Sequence, residues 1–161
     1  MSNSLTADIR ILLKTINHKT AIICVGNTLR ADDGVGPYLA EHLATDTNLM
    51  IINAGTVPEN HLDEVVRFKP DLVIIFDAAD FRGTPGEVRI VNEKTVPVAT
   101  LSTHNIPMSV IYHLLQQDTE APVIFVGIQP KSLDMQEGLS IEVKAAADDI
   151  LIYIKKGYKH A

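Results

Sequence analysis

Leu72-Val73-Ile74-Ile75-Phe76-Asp77 is a continuous apolar run that ends on a carboxylate. A run of this kind reads as a strand buried on both faces, which is the mark of a parallel sheet with helices on either side. The segments around it agree. Upstream, Pro58 opens a helix to about Phe68, with Leu62, Val65 and Val66 inward, and Lys69 and Pro70 stop it. Met50–Asn53 reads as a strand closed by Ala54 and Gly55. Thr20–Val25, short and β-branched and bounded by Gly26 and Asn27, reads as another. Between those two strands Pro37 suits a first helical turn, and Tyr38, Leu39, His42 and Leu43 carry a helical period to about Ala44. Ile9, Ile11, Leu12, Leu13 and Ile16 share a stripe that predicts a short amphipathic helix over 6–16.

Downstream, Gly83, Pro85 and Gly86 mark a turn, and Glu87 to Val91 alternates polar and apolar like an edge strand. Pro107 begins a helix with Val110, Ile111, Leu114 and Leu115 inward. Val123–Ile128 is a further buried strand, and Ile141 to about Ile154 a closing helix. Strands alternate with helices, so the class is α/β with a mainly parallel sheet, and right-handed connections fold it into a three-layer α/β/α sandwich. Its crevice is expected at the carboxyl ends of the strands, where strand order reverses. That selects loops 26–36, 53–58, 77–86 and 128–139.

Composition narrows the chemistry. The chain has 161 residues, 46% hydrophobic and 21% charged, enough for one domain with a real core. A net charge of −6 gives no reason to attract phosphate backbones, so nucleic acid is not expected as a partner. No stretch approaches the roughly 18 apolar residues of a membrane span. Asp8, Arg10 and Lys14 break up any signal-like N-terminus. The single cysteine, Cys24, fits a reducing compartment and a core position, and the expected location is the cytoplasm.

The first loop reads Gly26-Asn27-Thr28-Leu29-Arg30-Ala31-Asp32-Asp33-Gly34-Val35-Gly36. It is not a phosphate loop, because Ala31, Asp32 and Asp33 stand where Gly-Lys-Ser/Thr is needed. It is not a dinucleotide fingerprint either, because position 39 is Leu. Adjacent carboxylates repel a phosphate and favour a cation. If the first and third strands are neighbours, about 4.8 Å apart, Asp33 and Asp77 can converge on one ion. His104, in the polar loop before Pro107, would add an imidazole, and such an N/O set suits a transition metal with open positions. Duller readings stand beside this one. Asp32 or Asp33 could cap the following helix, Asp77 could accept backbone hydrogen bonds, and His104 could be a surface histidine. His18, His42, His61, His113 and His160 lack a comparable setting and read as structural or exposed.

Taken together, Gly26-Asn27-x-Leu29-x-x-Asp32-Asp33-Gly34-x-Gly36, Gly55-Thr56-x-Pro58-Glu59-Asn60, Asp77-Ala78-x-Asp80, Pro85-Gly86-Glu87-x-Arg89-Ile90, Thr103-His104-Asn105-x-Pro107 and Gly127-Ile128-Gln129-Pro130 resemble the hydrogenase maturation endopeptidases. These proteases trim the large subunit of nickel–iron hydrogenases. The resemblance covers about residues 20–156 and is greatest to the type serving formate-hydrogenlyase hydrogenases and to archaeal relatives. It implies a five-stranded mixed sheet with the 87–91 strand antiparallel. It implies metal ligation and catalysis by Asp33, Asp77 and His104, with Asp32, Asp80, Asn105, Thr56 and Gln129 as supporting or cleft-lining residues. It implies a cut that removes the C-terminal extension of a large-subunit precursor after nickel insertion, the nickel being supplied by the substrate. Other divalent cations are expected to enter the site in vitro. Either the ion polarises the scissile carbonyl and activates water, or a carboxylate such as Asp32 or Asp80 acts as general base. The division expected is an N-terminal extension, 1–19, with a short helix, a peptidase domain, 20–156, and a tail, 157–161. Two alternatives remain: a non-catalytic metal-binding maturation factor on the same fold, and a general metallohydrolase holding its own ion.

Overall fold

The computed structural model of the chain describes residues 5–16, 18–91 and 106–159. Its sheet has five strands, β1 (Thr20–Val25), β2 (Leu49–Gly55), β3 (Leu72–Ala78), β4 (Val88–Val91) and β5 (Val123–Ile128), in the order β2-β1-β3-β5-β4. β1 pairs in parallel with both β2 and β3, and β3 with β5. β4 closes one edge antiparallel to β5, as the resemblance implied.

Pleat alternation distributes the apolar runs between two cores. Ile22, Cys24, Ile74 and Phe76 face α1 (Ala7–Lys14), α2 (Val35–Glu41) and α5 (Ile141–Lys159). Ala21, Ile23, Val73 and Ile75 face α3 (Leu62–Phe68) and α4 (Met108–Thr119). The central strands are apolar at consecutive positions because each face has its own helical cover. That is the three-layer sandwich.

Several elements differ in detail from the sequence reading. The helix expected from Pro58 begins as a 3-10 turn, Pro58–His61, and becomes α-helical only at Leu62. Lys69, with φ 54°, ends it in the left-handed region. Val110, expected inward, is 43% exposed. Met108, Ile111, Tyr112 and Leu115 form the buried face of α4 instead. α5 runs on to Lys159 and packs against α1, whose Ile9 and Leu13 are fully buried. No helix among the described residues is long and apolar enough to cross a membrane.

Candidate active site

Strand order turns at β1 and β3. The chain leaves β1 toward β2 on one side, while β3 and β5 lie on the other. The loops after β1 and β3 therefore diverge and leave a crevice between them. The two candidate carboxylates lie on these elements, Asp33 in the loop after β1 and Asp77 on β3.

Asp33 lies in a 3-10 turn, Ala31–Gly34, that packs against β3. The loop leading to it is tightly bonded. The Asn27 N–H donates to the Asp33 carbonyl and to Asp33 Oδ2, each at 3.1 Å, and Asn27 Oδ1 accepts from the Leu29 N–H at 2.9 Å. Gly26 has φ 153°, and a Cβ there would sit 1.9 Å from the Asp33 carbonyl oxygen, so only glycine lets the turn fold back this closely. Asp33 is 1% exposed.

Asp77 is a residue of β3 itself, paired with Gly127 of β5, and is fully buried. The sequence placed it at the end of the strand, but ladder pairing continues through Ala78. Alternation with Val73 and Ile75 turns it toward the α3/α4 face. Two buried carboxylates on elements that touch could hold a cation between them, which would offset the cost of burying their charge. As oxygen donors they are of the kind that could hold a divalent ion. His104 and Asn105 lie outside the described residues. Among the described residues no group of three or more His, Cys, Asp and Glu side chains is placed to hold a metal.

The supporting candidates separate. Asp32 is fully buried, and its partners are all donors: Oδ2 accepts from Lys131 N–H at 2.8 Å, Ser132 N–H at 3.2 Å and Ser140 Oγ at 2.9 Å, and Oδ1 from Ser140 N–H at 2.7 Å. Neither acid caps α2, whose N-cap is Gly34. Asp80 is exposed; the Arg82 N–H and the Gln129 amide hold its carboxyl below the usual range. Gln129 Oε1 accepts from the Phe81 and Gly83 N–H groups, both at 3.0 Å, and Nε2 donates to Asp80 Oδ1 at 3.2 Å. Its amide is therefore committed to the loop after β3. Thr56 lines a shallow depression of about 290 Å³ with Gly26, Asn27 and Asn53. Ser140 was missed in the sequence. Its position just before a helical period marks it as an N-cap, and its Oγ does accept from Val143 N–H at 3.3 Å.

The family profile HycI, hydrogenase maturation protease, matches residues 34–156. The hydrogenase 3 maturation protease of Escherichia coli K12 is 33% identical over 132 residues, covering 80% of this chain and 84% of its own. A putative hydrogenase maturation protease of Methanocaldococcus jannaschii is 36% identical over 143 residues, covering 83% and 84%. The crystal structure of the [NiFe] hydrogenase maturation protease HycI from Thermococcus kodakarensis superposes with TM-score 0.80 at 30% identity, over 92% of this chain and 99% of that one. The solution structure of the E. coli endopeptidase HycI gives 0.77 at 31%, over 86% and 90%. Sequence and fold agree, and the chain belongs to the hydrogenase maturation protease family.

Proposed function

We propose that the chain removes the C-terminal extension of a nickel–iron hydrogenase large subunit in the cytoplasm, and that nickel already inserted in that substrate is its recognition element. Asp33 and Asp77, with His104 from the segment before α4, complete the coordination of the substrate's nickel. Residues 20–156 carry the activity. The observation behind this reading is the pair of buried carboxylates flanking the β1/β3 switch point, with the turn of Asp33 packed on the strand of Asp77. The names of the relatives supply the substrate class.

In this scheme binding and checking are one event, because a precursor without nickel offers the acids nothing to hold. The ion, when present, would polarise the scissile carbonyl or activate water. The chain's own part is to present two carboxylates in a fixed relation, dry on the protein side.

Intact-mass measurement of a nickel-loaded large-subunit precursor tests this. Wild type is expected to shorten it and to leave the nickel-free precursor uncut. Asp33→Asn, Asp77→Asn and His104→Ala are each expected to slow the cut by about 100-fold or more. Binding without shortening would replace this reading with the non-catalytic maturation factor. A tight stoichiometric metal in the protein purified alone would favour the general metallohydrolase.

A further inference from the structure

The segment after β5 touches both sides of the crevice. At its start, Gln129 holds the loop that follows Asp77. The side-chain amide binds Phe81, Gly83 and Asp80, and the backbone adds Gln129 N–H to the Glu87 carbonyl and Gly86 N–H to the Gln129 carbonyl, both at 2.8 Å. Further along, the same segment encloses Asp32, the neighbour of Asp33. Besides the four bonds to the Asp32 carboxylate, Asp32 N–H donates to the Ser132 carbonyl at 3.1 Å and Ala31 N–H to the Gln136 carbonyl at 2.7 Å. One stretch of chain, 129–140, thus joins the loop after Asp77 to the turn of Asp33.

We propose that this stretch is a brace that sets the separation of Asp33 and Asp77, with Asp32 and Gln129 as positioning residues at its two ends. The proposal rests on the role given to Asp33 and Asp77 above. It removes Asp32 from the list of general bases. A base must present an open lone pair to the substrate, whereas Asp32 is wholly buried and its oxygens accept from the brace. It also explains why the residue is an acid. Every partner is a donor, and only a carboxylate is acceptor on both oxygens. An amide at 32 would turn an NH2 toward donors. Metal sites and reaction geometries tolerate little slack, so a brace loosened at one end is felt at the other.

Hydrogen exchange reads the coupling without substrate. In Asp32→Asn the Phe81 and Gly83 amides, bonded to Gln129 at the far end, are expected to exchange at least ~10-fold faster, while Ile22 and Ile23 in β1 keep wild-type protection. Unchanged exchange at Phe81 and Gly83 overturns the brace. If Asp32→Asn does not fold, Ser140→Ala decides the same question. It removes one of the four donors together with the cap bond to Val143 N–H, and Ser140→Thr, which keeps a hydroxyl for both bonds, is expected to restore wild-type exchange. On the nickel-loaded precursor, kcat/KM per folded molecule is expected to fall about 10- to 100-fold in Asp32→Asn and Gln129→Ala. The double variant is expected to lose little more than the worse single one, since both release the same segment. Full multiplication of the two losses would also overturn the proposal. A wild type that never cuts the precursor would sink the proposed function instead, leaving the exchange result to stand on its own.

Discussion

Gly36 is where α2 meets β1 with no side chain between them. A Cβ at this position would lie 2.1 Å from the Val25 carbonyl oxygen and 2.7 Å from its nitrogen, both backbone atoms of a buried strand that cannot move aside. Gly36→Ala is therefore expected to cost about 3 kcal/mol or more, read from denaturant unfolding, at the upper end of overpacking penalties. The same closeness serves the site, because α2 follows directly from the turn that carries Asp33. At this scale the sequence named the acids and was silent about their partners. Two carboxylates after two buried strands could be read as a cation site. That Asp32 is enclosed by Ser132 and Ser140 could not, since its partners lie 99 to 108 positions away along the chain.

α2 and α5 are joined by a polar link: the Tyr38 hydroxyl donates to Asp148 Oδ1 at 2.6 Å, and Lys144 approaches Asp148 Oδ2 at 3.2 Å. The Tyr38 hydroxyl first, and Lys144 after it, hold the Asp148 carboxyl below the usual range. With the folded value depressed, the unfolded chain takes up the proton first as pH falls. The link is therefore at full strength above the ordinary carboxylate range and is lost as pH drops through the folded value. Tyr38→Phe is expected to cost about 1 kcal/mol at neutral pH, discounted for the partial exposure of Asp148, and the gap to wild type should narrow in urea titrations as pH falls below the ordinary carboxylate range. Tyr38 itself is raised by the same bond, so the link weakens again only above the ordinary phenol range, about pH 10. Among elements, Thr20–Val25 and Val123–Ile128 were legible to the residue, because breakers bound uninterrupted apolar runs. Val110 was misread because helical periodicity gives a stripe without its exact bearing. α4 turns that stripe so that Met108 and Tyr112 are buried and Val110 is left facing water.

Across the whole molecule, the centre of the sheet is closed to solvent, and Cys24 reports on it. Burial pushes its thiol up to about 12, and the residue has no exposed surface. A thiolate reagent is therefore expected to leave the native protein unmodified, with alkylation proceeding at the rate of global unfolding. Labelling that outruns unfolding measured by circular dichroism would show a local opening at β1. The three-layer arrangement was legible as a whole because every central strand is apolar on both faces, whereas the way the last loop ties the crevice together depends on contacts that only the folded chain creates. The order β2-β1-β3-β5-β4 places the next-to-last element of the sequence against β3. A ribosome that has released only the first three strands has made both acids but not the strand that shields one of them or the residues that surround the other's neighbour. Such a nascent chain lacks both the β5 pairing of Asp77 and the 129–140 segment around Asp32, so this rim of the sheet is completed only after β5 and the loop that follows it have emerged.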